Sequence, residues 1–164
     1  MSIAKIKNNN FVYIILHNIR SIHNVGAFFR TGDALGVSKI FLTGYTPKPV
    51  DRFGNKRKDL SKTALGSEET IEWEYFSDVG KLIEKLKRKG VQVVAIEQDK
   101  NSVDYKKVKA KYPIAFLVGN EVKGISKQIL KKCDVVAEIL MKGKKESLNV
   151  SVAGGVAMFR ILNI

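Results

Sequence analysis

Apolar positions along this chain fall into two alternating patterns. The run FVYIILH at 11–17 is almost unbroken apolar and β-branched, as expected of a strand buried on both faces of a parallel sheet. From Asn24 to Leu35, the residues Val25, Phe28, Phe29 and Leu35 recur at helical spacing, and Gly36 ends the helix before the next apolar run. SKIFLTG at 38–44 predicts a second strand and TIEWEYF at 70–76 a short one. Val79, Leu82, Ile83 and Leu86 then follow the i, i+3, i+4, i+7 rule until Gly90. VQVVAIEQ at 91–98 and PIAFLVGNE at 113–121 read as two more buried strands, separated by a basic linker at 100–111. A short helix near Ser126 to Lys132, a last strand VVAEILM and an apolar helix over SLNVSVAGGVAMFRIL complete the pattern. Strands alternating with helices in this way predict an α/β fold with a mainly parallel sheet flanked by helices.

One stretch breaks the alternation. From Tyr45 to Glu69 the chain carries Pro47, Pro49, Gly54 and Gly66 and few apolar anchors, which predicts a long loop. Arg52, Lys56, Arg57, Lys58 and Lys62 give that loop the charge to hold a phosphate backbone, so it is the candidate RNA contact. Charge over the whole chain agrees. The sequence holds 29 Lys+Arg against 16 Asp+Glu, a formal net charge of +13, and such an excess favours a polyanionic partner through counterion release.

At 164 residues and 45% hydrophobic, the chain fits one compact domain over 1–164. The single cysteine, Cys133, has no intrachain partner and reads as a core or near-core thiol. No apolar run reaches the length of a membrane span, and MSIAKIKNNN lacks the apolar region of a leader, so a cytoplasmic protein is expected. Neither GxGxxG after the first strand nor GxxxxGK[ST] is present, and no Cys/His cluster has metal-ligand spacing, which disfavours Rossmann, P-loop and metal-dependent chemistry. His17 and His23 lack a nucleophile in a recognised setting and read as structural or as supports behind a site's contacting residues.

Three segments stand where strands give way to loops, the usual position of a ligand crevice in an α/β sheet. They are HNVGAFFRTGDALGV at 23–37, FLVGNEVKGIS at 116–126 and ILMKGKKESLNVSVAGGVAMF at 139–159. Together, and in this order, they closely resemble the three motifs of the SpoU (TrmH-type) RNA ribose 2'-O-methyltransferases of the SPOUT superfamily. The resemblance implies features that periodicity could not: a deep C-terminal trefoil knot, a homodimer, and an active site completed at the subunit interface. Knots are rare enough that no general folding rule predicts one. The resemblance also implies S-adenosylmethionine as cofactor, with no metal. RNA is the implied substrate, transfer RNA slightly preferred over ribosomal RNA because the minimal domain resembles stand-alone transfer RNA enzymes. No appended RNA-binding domain is expected.

Carried over residue by residue, the resemblance assigns the cofactor to the loops Ile96, Glu97 and Gln98, then Gly119, Asn120 and Gly124, then Ile139, Leu140 and Met141, with Ser147 and Leu148. Glycine at 119 and 124 would let backbone approach a ligand closely. Arg30, Asn24, Glu121, Ser147 and Asn149 match the catalytic and positioning residues of the family. A guanidinium is a poor proton acceptor at neutral pH, so Arg30 is better read as stabilising charge on the ribose oxygen or neighbouring phosphate than as a base. The bland alternative for Arg30 is a surface ion pair with Asp33. Asn24 and Asn149 also fall where helix N-caps are expected, and Glu121 would order the surrounding loop or Arg30. Ala153, Gly154, Gly155 and Ala157 would allow close helix packing, either at a dimer contact or on the chain's own sheet. Where the family's third motif usually has Ile-Pro-Met, this chain reads Ile139-Leu140-Met141. A non-catalytic RNA-binding or ribosome-assembly protein of the same fold is the alternative function, and a base methyltransferase of the wider superfamily is a third.

Overall fold

The computed structural model describes residues 10–164, so the leader reading of MSIAKIKNNN falls, Asn10 apart, outside the described residues. The elements run β1 (Val12–His17), α1 (Ile22–Leu35), β2 (Lys39–Thr43), α2 (Lys58–Ala64), α3 (Ser67–Thr70), β3 (Glu72–Phe76), α4 (Val79–Arg88) and β4 (Gln92–Ile96). They continue with β5 (Val103–Asp104), a 3-10 turn, β6 (Ile114–Val118), α5 (Lys127–Leu130), β7 (Val135–Glu138) and α6 (Val150–Leu162). The seven strands form one sheet in the order β3-β2-β1-β6-β4-β7-β5. Every pairing between these strands is parallel, so all carboxyl ends open on the same edge.

Alternate residues of the central strands feed two cores on opposite faces. Val12, Ile14 and Leu16 of β1 join Phe28 and Phe29 of α1, Leu60 of α2 and Met158 of α6. Ile15 faces the other way, into the core formed with Leu82 and Ile83 of α4 and Leu130 of α5. A parallel sheet covered on both faces needs apolar residues on both, which is why FVYIILH and PIAFLVG show almost no polar alternation.

The loop expected at 45–69 contains two short helices. Leu60 and Ala64 are fully buried anchors that the surrounding lysines obscure in the sequence. They reach α1 because Gly26 has no side chain: a Cβ there would lie 1.9 Å from Thr63 Oγ1 and 2.7 Å from the Leu60 carbonyl. Gly26→Ala is therefore expected to cost about 1–3 kcal/mol of stability by overpacking, read as a lowered melting temperature. Helix α1 starts two residues before the Asn24 of the sequence pattern, since Ser21 caps it by accepting from the Asn24 backbone N–H at 3.3 Å. Asn24 is thus inside the helix and not its N-cap. At the other end of the sheet, VVAEILM is a strand only through Glu138, and the 100–111 linker supplies the two-residue β5 that pairs with it.

Candidate active-site cleft

At the carboxyl edge of the sheet, the loops following β4, β6 and β7 surround a cleft of about 290 Å³ that the start of α6 closes. It opens beside the point where the order of strands turns from β1 to β6, the position at which α/β sheets leave a crevice. Ile96, Glu97 and Gln98 line it from β4, and Gly119, Asn120 and Gly124 from β6. Ile139, Met141, Ser147 and Leu148 complete the expected set. Leu140 is the exception. It is 60% exposed and outside the lining, as alternation along a chain leaving a strand would place a residue between two that face in. Glu121, Glu146, Val150 and Ala153 also line the cleft; of these, Glu146, Val150 and Ala153 fall inside the third motif but are not among the residues it assigns to the cofactor, Ala153 being read as a packing residue.

Hydrogen bonds fix the walls. Glu97 accepts from the Ile125 backbone N–H at 2.9 Å and from that of Gln98 at 2.8 Å, bracing one loop with another. Its carboxylate lies where a Cβ on Gly124 would be, 2.5 Å from Oε2, and Gly124 itself has φ 65°, so both space and backbone demand glycine. Gly119 is tight for a similar reason, its absent Cβ being 2.4 Å from Ile125 Cγ1. The close approach at both glycines is thus to the chain's own atoms. Asn120 is buried, its Oδ1 accepting from the Val122 and Lys123 N–H groups and its Nδ2 donating to the Asn18 carbonyl and the Tyr45 hydroxyl. Gln98 Nε2 donates to the Glu146 carbonyl at 2.7 Å and links the first wall to the third.

The three motif segments meet at one junction. Glu121 Oε1 accepts from the Ser21 N–H and from Asn24 Nδ2, each at 3.0 Å, while Oε2 accepts from the Arg20 N–H at 3.0 Å. Asn24 Oδ1 in turn accepts from Asn149 Nδ2 at 3.2 Å. Asn149 is also the N-cap of α6, accepting from Ser151 N–H at 2.9 Å. Burial of Glu121 opposes its charge, but the donors from Arg20, Asn24 and Ser21 outweigh that and hold its carboxyl below the usual range. Glu121 therefore stands as an anion that orders the entry to α1, and Arg30 is not among its partners.

Arg30 itself is exposed and lies outside the cleft lining of its own chain. The Asp33 pairing does not form: none of the ion pairs among the described residues includes either side chain. The basic segment divides. Lys56 pairs with Glu69 at 2.6 Å and Arg57 with Asp59 at 2.9 Å, whereas Arg52 lies over the Phe53 ring and Lys58 and Lys62 are exposed. His17 is half-buried against Thr43 Oγ1 at 2.9 Å, and burial lowers its pKa, so it is a neutral structural residue near pH 7; His23 is exposed. Burial also pushes the Cys133 thiol up to about 12, which leaves it a poor nucleophile. Gly154 is packed within the chain, its absent Cβ 2.5 Å from the Phe28 ring.

Among the described residues no group of three or more His, Cys, Asp or Glu could hold a metal ion, and no helix is long and apolar enough to cross a membrane.

Residues 11–159 match the SpoU rRNA Methylase family. The chain belongs to that family. Among curated SpoU relatives, a putative TrmH family tRNA/rRNA methyltransferase of Bacillus subtilis is 29% identical over 158 residues, 96% of this chain and 61% of that protein. The 23S rRNA (guanosine-2'-O-)-methyltransferase RlmB of Pseudomonas aeruginosa is 32% identical over 149 residues, covering 91% of this chain and 57% of RlmB. This SpoU chain thus spans about three fifths of the length of those relatives. The AdoMet-bound rRNA methyltransferase of Sinorhizobium meliloti superposes with a TM-score of 0.84 at 28% identity, covering 95% of this chain and 57% of that one. The A. aeolicus TrmH/SpoU tRNA modifying enzyme superposes at 0.80 with 29% identity, covering 94% and 75%.

Proposed function

We propose that this SpoU chain is an S-adenosylmethionine-dependent RNA methyltransferase acting on a ribose 2'-hydroxyl. The observation that carries the reading is the Asn24–Glu121–Asn149 junction, which brings all three motif segments to the mouth of one cleft. The cleft fits the cofactor chemically. Ile96, Ile139, Met141 and Leu148 supply an apolar strip for a flat heterocycle, and the backbone of residues 119–121 and Ser147 supply polar groups for a charged amino-acid tail. When bound there, the cofactor supplies an electrophilic methyl group on a sulfonium. The chain's own contribution is to hold a ribose hydroxyl in line and to stabilise negative charge growing on its oxygen as the proton leaves. Arg30 is assigned that stabilising role, with Asn24, Glu121, Ser147 and Asn149 as positioning groups. Ribose is preferred over base because the relatives matched include one named for guanosine 2'-O-methylation.

A homodimer belongs to the same reading. Val152 and Val156 leave an apolar stripe exposed on α6, and Gly155 packs beside Thr31 of α1, one residue from Arg30. A partner docked there would bring its cleft toward Arg30, which the cleft of its own chain does not use. The deep trefoil knot is read from the same segments, the bonds from Gln98 to Glu146 and from Asn149 to Asn24 holding the stretch between β7 and α6 among the earlier loops. The RNA is read as transfer RNA ahead of ribosomal RNA, bound by Arg52, Lys56, Arg57, Lys58 and Lys62 and by the positive charge of the surface generally.

The test is transfer of labelled methyl from S-adenosylmethionine to total small RNA and to ribosomal RNA, followed by mapping of 2'-O-methyl positions. Mapped ribose methylation supports the proposal and names the substrate. Methylation mapped to a base overturns the ribose assignment, cofactor binding without incorporation into either pool points to a substrate or partner outside those pools, and absence of cofactor binding leaves a non-catalytic RNA-binding protein.

A further inference from the structure

Beyond the cleft, the surface after β2 carries aromatic rings among its cations, and the methyl-transfer reading uses only the cations. Tyr45, Phe53 and Tyr75 line a shallow depression of about 670 Å³ together with Lys48, Arg52 and Arg57. Large aromatic rings are normally covered, yet Phe53 is 73% exposed and Tyr45 57%. Each of two cations already lies against a ring, Lys48 Nζ 4.2 Å from the Tyr75 centroid and the Arg52 guanidinium 4.7 Å from that of Phe53.

The two tyrosine rings are held although they are exposed, and Phe53 has the Arg52 guanidinium against its face. The Tyr45 hydroxyl accepts from Asn120 Nδ2 at 2.9 Å, its backbone N–H donates to Asn18 Oδ1 at 3.2 Å, and the Tyr75 hydroxyl donates to the Gly44 carbonyl at 2.9 Å. A tyrosine pinned by its hydroxyl with its ring in solvent has little rotamer freedom left to lose on binding. The Asn120 that pins Tyr45 also lines the cleft, so one hydrogen bond ties the aromatic surface to a residue of the cleft.

We propose that Tyr45 and Phe53, flanked by Arg52 and Lys48, form a stacking platform for an unpaired RNA base next to the nucleotide in the cleft. The inference rests on the methyltransferase reading for its ligand class. Aromatic faces alternating with cations suit single-stranded RNA, since bases stack on the rings while the cations follow the phosphates. A platform of this kind tolerates any base but requires one to be splayed from its helix, so it selects loops and bulges over duplex.

Binding of a single-stranded 12-nucleotide RNA and of a hairpin-free duplex of the same sequence tests this, with S-adenosylmethionine binding measured on the same samples. Phe53→Ala is expected to weaken single-strand binding about tenfold, the usual effect of losing one stacked base, while Phe53→Trp retains it. The dependence of affinity on salt should stay as in the unaltered protein, because no cation is removed. Lys58→Ala should do the opposite, reducing the salt dependence. If the unaltered protein binds single strands and Phe53→Ala binds equally well, the platform is wrong and the methyltransferase reading stands. Equal affinity for duplex and single strand also overturns the platform. Absence of cofactor binding by the unaltered protein overturns the underlying reading instead, and concentration-dependent self-association abolished by Phe53→Ala replaces RNA with a second copy of the chain.

Discussion

Arg30→Ala is expected to lower methyl transfer about 100- to 1,000-fold, the effect of removing one preorganised group that stabilises charge in a transition state. Its thermal stability and cofactor affinity should be nearly unchanged, because the side chain is exposed, forms no ion pair among the described residues and does not line its own cleft. Lysine should not restore the rate fully, since an ammonium lacks the planar fork of donors. The proposed dimer adds a sharper requirement. When Arg30→Ala is mixed and refolded with Ile139→Trp, which fills the cleft, activity should reappear although each variant alone is inactive. Random pairing would leave roughly a quarter of sites intact, each using the cleft of one subunit and the arginine of the other. No recovery from folded mixed dimers would place Arg30 and the cleft it serves in one chain.

The second large effect is expected at Glu121. Glu121→Ala leaves the Arg20 and Ser21 N–H groups and the Asn24 amide without their acceptor. Hydrogen bonds to a charged group carry about 1.5–3 kcal/mol each, but the carboxylate is half-buried and water will replace part of the loss. A net cost of about 2–3 kcal/mol, or roughly a 4–12 °C lower melting temperature, is expected. Cofactor binding should weaken with it, because the loop at 119–124 and the start of α1 are no longer tied. Glu121→Gln should recover only part, since its amide turns a donor toward a donor. The pH dependence has a definite sign. The folded carboxyl lies below its unfolded value, so its contribution is complete above the ordinary carboxylate range and is lost as pH falls through the lowered value. Stability of the unaltered protein and of Glu121→Gln, measured from pH 7 downward, should therefore converge only in acid.

Much of the sheet was legible because its central strands are buried on both faces and read as unbroken apolar runs. α4 was equally plain, with Leu82, Ile83 and Leu86 on one face and lysines on the other. What the sequence hid was structure held by one or two residues. α2 rests on Leu60 and Ala64 within a lysine-rich stretch, β5 is two residues long, and the cap of α1 is a lone serine preceding the pattern. The cleft is a different case. No spacing rule links Asn24 to Glu121 or Asn149, because contacts 97 and 125 residues apart leave no local periodicity. The motif resemblance located ten of the eleven assigned cofactor positions in one lining, Leu140 being the remaining one. It did not reveal the partners of Glu121 or the role of Tyr45 in pinning Asn120, which are facts of geometry rather than of pattern.

The bond from Asn149 to Asn24 also sets a clock on biosynthesis. At translation rates of about 5–20 residues per second, the ribosome needs roughly 6 to 25 seconds after Asn24 emerges before its partner exists. Until α6 arrives, Phe28 lacks the helix that packs on it through Gly154, and the cleft has no third wall. A nascent chain halted before residue 149 can build most of its sheet and still have no place for a nucleoside, so ligand capture reports that the chain has been made and folded through α6.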